Sequence, residues 1–79
     1  MPESGRGKQS PLISIIIPVF NEQDAIGLFV DAILPIIEQE AIEAELVFIN
    51  DGSKDGTLER LLALVAQDQR IRVIDLSRN

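Results

Sequence analysis

The sequence contains no cysteine and no histidine. Without thiols it has neither a disulfide framework nor a thiolate metal site. Without imidazole it lacks the commonest general base and the commonest metal ligand. The absence of cysteine fits a reducing, cytosolic compartment. Basic residues are also scarce: seven Lys and Arg stand against thirteen Asp and Glu, a formal charge of −6. A nucleic-acid-binding module needs a basic face to displace counterions, so that class is set aside. No apolar run approaches the ~20 residues of a membrane span. The opening, Met1 to Ser10, has little apolar content and no signal-peptide core. It reads as part of a flexible leader over residues 1–11, ahead of a domain over residues 12–79. A stand-alone domain of 79 residues buries a small share of its surface and usually needs a disulfide, metal or partner.

What is present is a regular alternation of apolar patterns. Leu12 to Ile17 is an apolar run broken only by Ser14, rich in β-branched residues and closed by Pro18. It reads as a strand buried on both faces, as in a parallel sheet. A helix then begins at Asn21, a favoured N-cap, with Asp24 near the positive end of the helix dipole. Ile26, Phe29, Val30, Ile33 and Ile37 recur at helical spacing, and Pro35 within them predicts a kink. Glu40 to Glu45 is an acidic turn and Leu46 to Ile49 a second buried strand. Asn50 to Gly56 has loop chemistry. A second helix follows from about Thr57, with Asp55 as its N-cap and Leu58, Leu61, Leu62 and Val65 as its apolar stripe. Ile71 to Leu76 is a third strand, less deeply covered because it alternates through Arg72 and Asp75.

The order β-α-β-α-β, closed by right-handed crossovers, predicts an α/β fold with a three-layer parallel sheet. Ligands bind such sheets beyond the carboxyl ends of the strands. Three polar clusters follow the three strands: Phe20-Asn21-Glu22, Asn50-Asp51-Gly52-Ser53, and Ser77-Arg78-Asn79. Their convergence on one edge predicts a ligand site there.

The first strand-to-helix turn, Pro18-Val19-Phe20-Asn21, contains no glycine. A dinucleotide fold needs G-x-G-x-x-G at that turn and a P-loop needs G-x-x-x-x-G-K-[ST], so both classes are disfavoured. An aromatic there would instead lie against a nucleobase. Asp51-Gly52-Ser53-Lys54-Asp55-Gly56 has the sixth-position glycine of an EF-hand loop. However, the twelfth position is Leu62 instead of Glu, and the loop follows a strand. Asp55-Gly56-Thr57 matches part of a D-x-D-G-T phosphatase motif. Ser53 occupies the nucleophile position there, with no base to activate it.

Three blocks, in order and at matching spacing, resemble family 2 glycosyltransferases: Ser14 to Glu22, Val47 to Thr57, and Leu76 to Asn79. The similarity runs from about Ile13 to Asn79 and is nearest to the polyprenyl-phosphate branch, the bactoprenol and dolichyl-phosphate glycosyltransferases. The resemblance implies the N-terminal, Rossmann-like part of a GT-A domain that binds a UDP- or GDP-sugar such as UDP-glucose. The parent would be an inverting transferase of lipid-linked sugar or cell-wall biosynthesis, acting on polyprenyl phosphate at the cytoplasmic side of a membrane. Later segments would supply any membrane association.

The resemblance also assigns roles. Pro18, Phe20 and Glu22 line the nucleotide pocket, with Phe20 where the family places an aromatic beside the base. Asp51 stands where the family uses a carboxylate, and an ionised Asp accepts from an imide N–H. Ser53 belongs to the same pocket or holds the loop, and Arg78 faces the diphosphate or base. Each residue has a plainer structural reading: Phe20 as core, Asp51 as a turn former, Glu22 as a dipole partner, Arg78 as a solvated tail.

Many family members carry two Asp before the Gly-Ser, whereas this chain has Asn50 then Asp51. The family's Asp-x-Asp motif for a divalent Mg or Mn lies further along than Asn79. The 79 residues alone are therefore expected to bind no metal and to be inactive. With an open sheet edge they are also expected to self-associate. The alternatives are a non-catalytic βαβ nucleotide-binding or structural module and a calcium-binding loop.

Overall fold

The computed structural model describes residues 12–76. The expected leader over 1–11 and the cluster Ser77-Arg78-Asn79 lie outside the described residues. The elements run β1 (Ile13–Val19), α1 (Gln23–Gln39), β2 (Ala44–Asn50), α2 (Thr57–Gln67) and β3 (Ile71–Asp75). All pairings are parallel and the sheet order is β1-β2-β3, with β2 central. The β-α-β-α-β parallel architecture read from the sequence is therefore present.

Both crossovers step the same way across the sheet. Right-handed crossovers of that kind place both helices on one face. The packing agrees. Ile15, Ile17 and Val19 of β1, Leu46 and Phe48 of β2, and Ile71 and Val73 of β3 form one cluster with Ile26, Val30 and Ile37 of α1 and Leu61 of α2. Alternation along a strand sends every second residue to the same face. The Phe48 ring meets Phe29 of α1 edge to face, with centroids 6.2 Å apart and planes at 88°. The described residues thus supply two of the three expected layers.

The opposite face, carrying Ile16, Val47, Ile49 and Ile74, has no helix over it among the described residues. This corrects the reading of β1 as a strand buried on both faces: Ile16 is 54% exposed and Ile13 49%. In the described sheet β1 is an edge strand, which also explains Pro18. It lies within β1, opposite Ile49, where an edge strand tolerates a missing N–H. Helix α1 continues through Pro35 to Gln39. Two smaller differences follow from tertiary contacts. Glu45 belongs to β2 rather than to the preceding turn. Leu62 is half-exposed while Leu64 and Val65 pack against the core, so the buried face of α2 is rotated from the expected stripe.

Candidate functional site at the carboxyl end of the sheet

The strand ends Val19 and Asn50 are register partners. The Asp51 N–H donates to the Val19 carbonyl at 3.2 Å, and the Leu76 N–H donates to the Asn50 carbonyl at 2.9 Å. The peptide unit joining Asn50 to Asp51 is therefore held from both neighbouring strands. Phe20 and Asp51 leave the sheet side by side, each one residue past a paired strand end. Both are exposed, Phe20 to 53%. Among the described residues the Asp51 carboxylate makes no hydrogen bond or ion pair.

Behind them, the β1–α1 turn and the β2–α2 loop are laced together by polar side chains. Asn21 adopts φ of +53°, a conformation Asn tolerates better than most residues. Its N–H donates to Ser53 Oγ at 2.9 Å, and its Oδ1 accepts the Lys54 N–H at 2.8 Å. The Glu22 N–H donates to Thr57 Oγ1 at 2.8 Å, and the Gln23 N–H reaches Asp55 Oδ2 at 3.4 Å. Gln23 Oε1 in turn accepts the Gly56 N–H at 2.6 Å. These bonds give loop N–H groups side-chain partners where no strand or helix supplies one. Gly52 completes the loop at φ +80°, where a side chain would be strained.

Two caps expected from the sequence are placed differently. Asn21 is not the N-cap of α1: that position is Glu22, with no side-chain cap. The Asn21 side chain clasps the neighbouring loop instead. Asp55 sits one residue before the N-cap of α2, which is Gly56. It still serves the helix start, because its Oδ1 accepts the Thr57 N–H at 2.9 Å and the Thr57 hydroxyl. The Thr57 hydroxyl bond, with the backbone N–H bonds of Thr57 and Gln23, holds the Asp55 carboxyl below its ordinary pKa. Asp55 is thereby committed to structure, as the EF-hand and phosphatase alternatives would not have it.

The predicted residues divide by environment. Ser53 is half-buried and its hydroxyl oxygen is engaged by Asn21, so it holds the loop. Pro18 and Glu22 line a depression of about 260 Å³ with Ala25, Ile26, Phe29 and Phe48, directly beside the end of β1. Phe20 and Asp51 present their side chains at the rim of the sheet. Arg78 lies outside the described residues. A larger depression of about 470 Å³ lies at the opposite, amino end of the strands, between Leu12, Ile42, Gln69 and Arg70. It touches none of the predicted residues.

Sequence reasoning placed Asn50 in the second polar cluster and Thr57 at the start of α2 but did not read either as fully buried. Asn50 follows Ala44, Leu46 and Phe48 on the inward face of β2. A polar residue at the next inward position was the available signal. Among the described residues no group of three Asp, Glu, His or Cys is placed to hold a metal. The carboxylates here do not fit a metal centre, and no helix among the described residues is long and apolar enough to cross a membrane.

The Glycosyl transferase family 2 description matches residues 14–79. The chain belongs to that family. It is 42% identical over 67 residues to a prophage bactoprenol glucosyl transferase homolog of Escherichia coli K12, covering 85% of this chain and 22% of that protein. The same figures hold for a bactoprenol glucosyl transferase of Shigella phage SfX. An uncharacterized glycosyltransferase of Synechocystis is 36% identical over 67 residues, covering 85% of this chain and 21% of the relative. The chain thus spans about a fifth of the length of these curated relatives. The family match takes in all three blocks that carried the resemblance, and the observed strand order agrees with it.

Proposed function

We propose that these residues form the nucleotide-binding part of an inverting glycosyltransferase that moves a sugar from a UDP- or GDP-sugar to polyprenyl phosphate. The observation that carries this reading is the juxtaposition of Phe20 and Asp51. An aromatic face and an ionised acceptor emerge together at the carboxyl ends of two paired parallel strands, where α/β sheets bind ligands. Phe20 supplies a surface for the base to lie against. Asp51 accepts the imide N–H that uracil and guanine both present. The laced loops hold Asp51 on a fixed peptide, so little ordering is left to pay on binding. Arg78, shortly after β3 in the sequence, would face the diphosphate.

In the transfer, an acceptor phosphate oxygen attacks the anomeric carbon from the face opposite the donor bond. The bond from that carbon to the diphosphate oxygen breaks, and the nucleoside diphosphate departs with the electron pair. A phosphate acceptor is already ionised near neutral pH and needs no strong base. A divalent ion, when bound, supplies charge neutralisation to the departing diphosphate; its ligands would come from outside the described residues. The relatives named for bactoprenol support the acceptor class, and such an acceptor places the work at a membrane surface on the cytoplasmic side.

Calorimetric titration of the complete protein with UDP, GDP and ADP tests the reading. UDP or GDP should bind in preference to ADP. Asp51→Ala should weaken that binding roughly tenfold to a hundredfold, the worth of one hydrogen bond to a charged group, while leaving stability within about 0.5 kcal/mol. Binding of all three nucleotides unaffected by the substitution would move the site elsewhere. No binding at all would favour a structural βαβ module. The 79-residue chain by itself should self-associate through the open edge of β1 and the bare apolar face, and a monodisperse monomer in sedimentation velocity would contradict that.

A further inference from the structure

Asn50 is fully buried at the end of the central strand, yet only half of its amide is used. Its Nδ2 donates to Asp75 Oδ1 at 3.1 Å, across the register pair that ends β2 and β3. Its Oδ1 has no hydrogen-bond partner. The orientation of the amide is fixed by chemistry, because turning it over would set a carbonyl oxygen against a carboxylate. Position 50 therefore needs a donor. Asparagine provides one and an ionised aspartate cannot. The same residue carries the carbonyl that receives the Leu76 N–H and begins the peptide whose N–H reaches Val19.

We infer that Asn50 is a positioning residue: with the half-buried Asp75 it forms an amide–carboxylate bridge between β2 and β3 that fixes where Asp51 leaves the sheet. The role assigned to Asp51 rests on the function proposed above; the bridge itself does not. It also gives a reason for Asn-Asp here where many family members carry two Asp. A carboxylate at position 50 would face the one at position 75, and two carboxylates in contact cannot both stay ionised without a raised pKa. Both strands pack against α2, whose first turn carries Glu59 and Arg60. The loop after β2 carries Asp51, Lys54 and Asp55, β3 itself carries Arg72, and Asp75 takes part in a further interaction besides the bridge.

The test is Asn50→Asp in the complete protein, alone and combined with Asp75→Asn. The single change is nearly isosteric, but a carboxyl at a fully buried position is pH-dependent through desolvation alone. The bridge adds repulsion from Asp75, which the double variant removes. In the folded variant the carboxylate pair takes up a proton at a pKa above the unfolded value of ~3.9, so stability is present at low pH and is lost as pH rises through the folded value. Each unit by which that value is raised costs about tenfold in the folding constant at higher pH. Thermal midpoints measured from pH 5 to 8 should fall with pH for Asn50→Asp relative to the parent. The double variant restores one amide and one carboxylate and should recover the parent profile. UDP or GDP affinity, where the parent shows it, should fall and recover in step. Coincident melting profiles for the parent and Asn50→Asp, or a double variant no better than the single, would overturn the bridge. If the parent binds no nucleotide, the donor-site reading fails, and the melting profiles still decide the bridge.

Discussion

The two ends of the sheet are built on opposite principles. At the amino end the charged side chains satisfy one another. Arg70 pairs with Asp68 at 2.7 Å and with Glu38 at 3.0 Å. Arg72 meets Glu45 at 3.3 Å, and Ser14 donates to the same carboxylate. At the carboxyl end polar side chains satisfy backbone N–H groups of the two loops, and the outermost residues, Phe20 and Asp51, are left facing solvent. The larger of the two depressions lies at the amino end, where Arg70 and Glu45 are already paired. What marks the carboxyl end, the proposed binding end, is an exposed aromatic and a carboxylate with no partner among the described residues, on a laced loop frame.

The comparison can be broken most severely from the middle. Phe48 is 1% exposed on the central strand and packs against Phe29. Phe48→Ala should cost about 3–5 kcal/mol in urea unfolding of the complete protein and disturb both ends together. Next comes Thr57→Val, which keeps the volume but removes the hydroxyl that accepts from Glu22 and donates to Asp55. It should cost about 2 kcal/mol and loosen only the carboxyl end. Hydrogen exchange at the Glu22 amide should rise while amides at the amino end stay protected. An unchanged Glu22 amide would mean that the lacing does not hold the loops.

The smallest effect is electrostatic and separates the ends by pH. The Asp68 carboxyl lies below its ordinary pKa chiefly through the Arg70 hydrogen bond. Glu45 is lowered chiefly by Ser14 and further by Arg72. Asp55, at the other end, is lowered chiefly by Thr57. Depressed carboxyl groups stabilise the fold above their unfolded values of ~3.9–4.3, and that stability is lost as pH falls through the folded values. Asp68→Asn should flatten the amino-end share of this acid sensitivity and leave the Thr57–Asp55 share intact. Acid titration of stability followed by near-neutral controls measures it, and an unchanged acid limb would show that the Arg70 cluster is screened by solvent.

Periodicity was enough to read all five elements. Apolar runs with β-branched residues gave the strands, and 3.6-residue spacing gave the helices. The order of those elements, with the handedness of crossovers, gave the parallel sheet and put the polar clusters on one edge. Phe20 and Asp51 were legible because each directly follows a strand pattern. Burial was less legible. An apolar run does not reveal which strand is central, so β1 read as covered on both faces while the described sheet leaves it at an edge. Local capping rules also misled at Asn21, whose side chain had a better partner 33 residues away in Lys54.

The sequence by itself thus determined the elements, their order and the edge on which the polar clusters after β1 and β2 meet, because those follow from local patterns and chain direction. The tertiary structure alone decided which polar residues serve the frame and which face solvent. Asn50, Ser53, Asp55 and Thr57 are all ordinary loop chemistry in one dimension. Hydrogen bonds between segments some 25 to 35 residues apart spend those four on structure. They leave Asp51 exposed, on a peptide held between Val19 and Leu76.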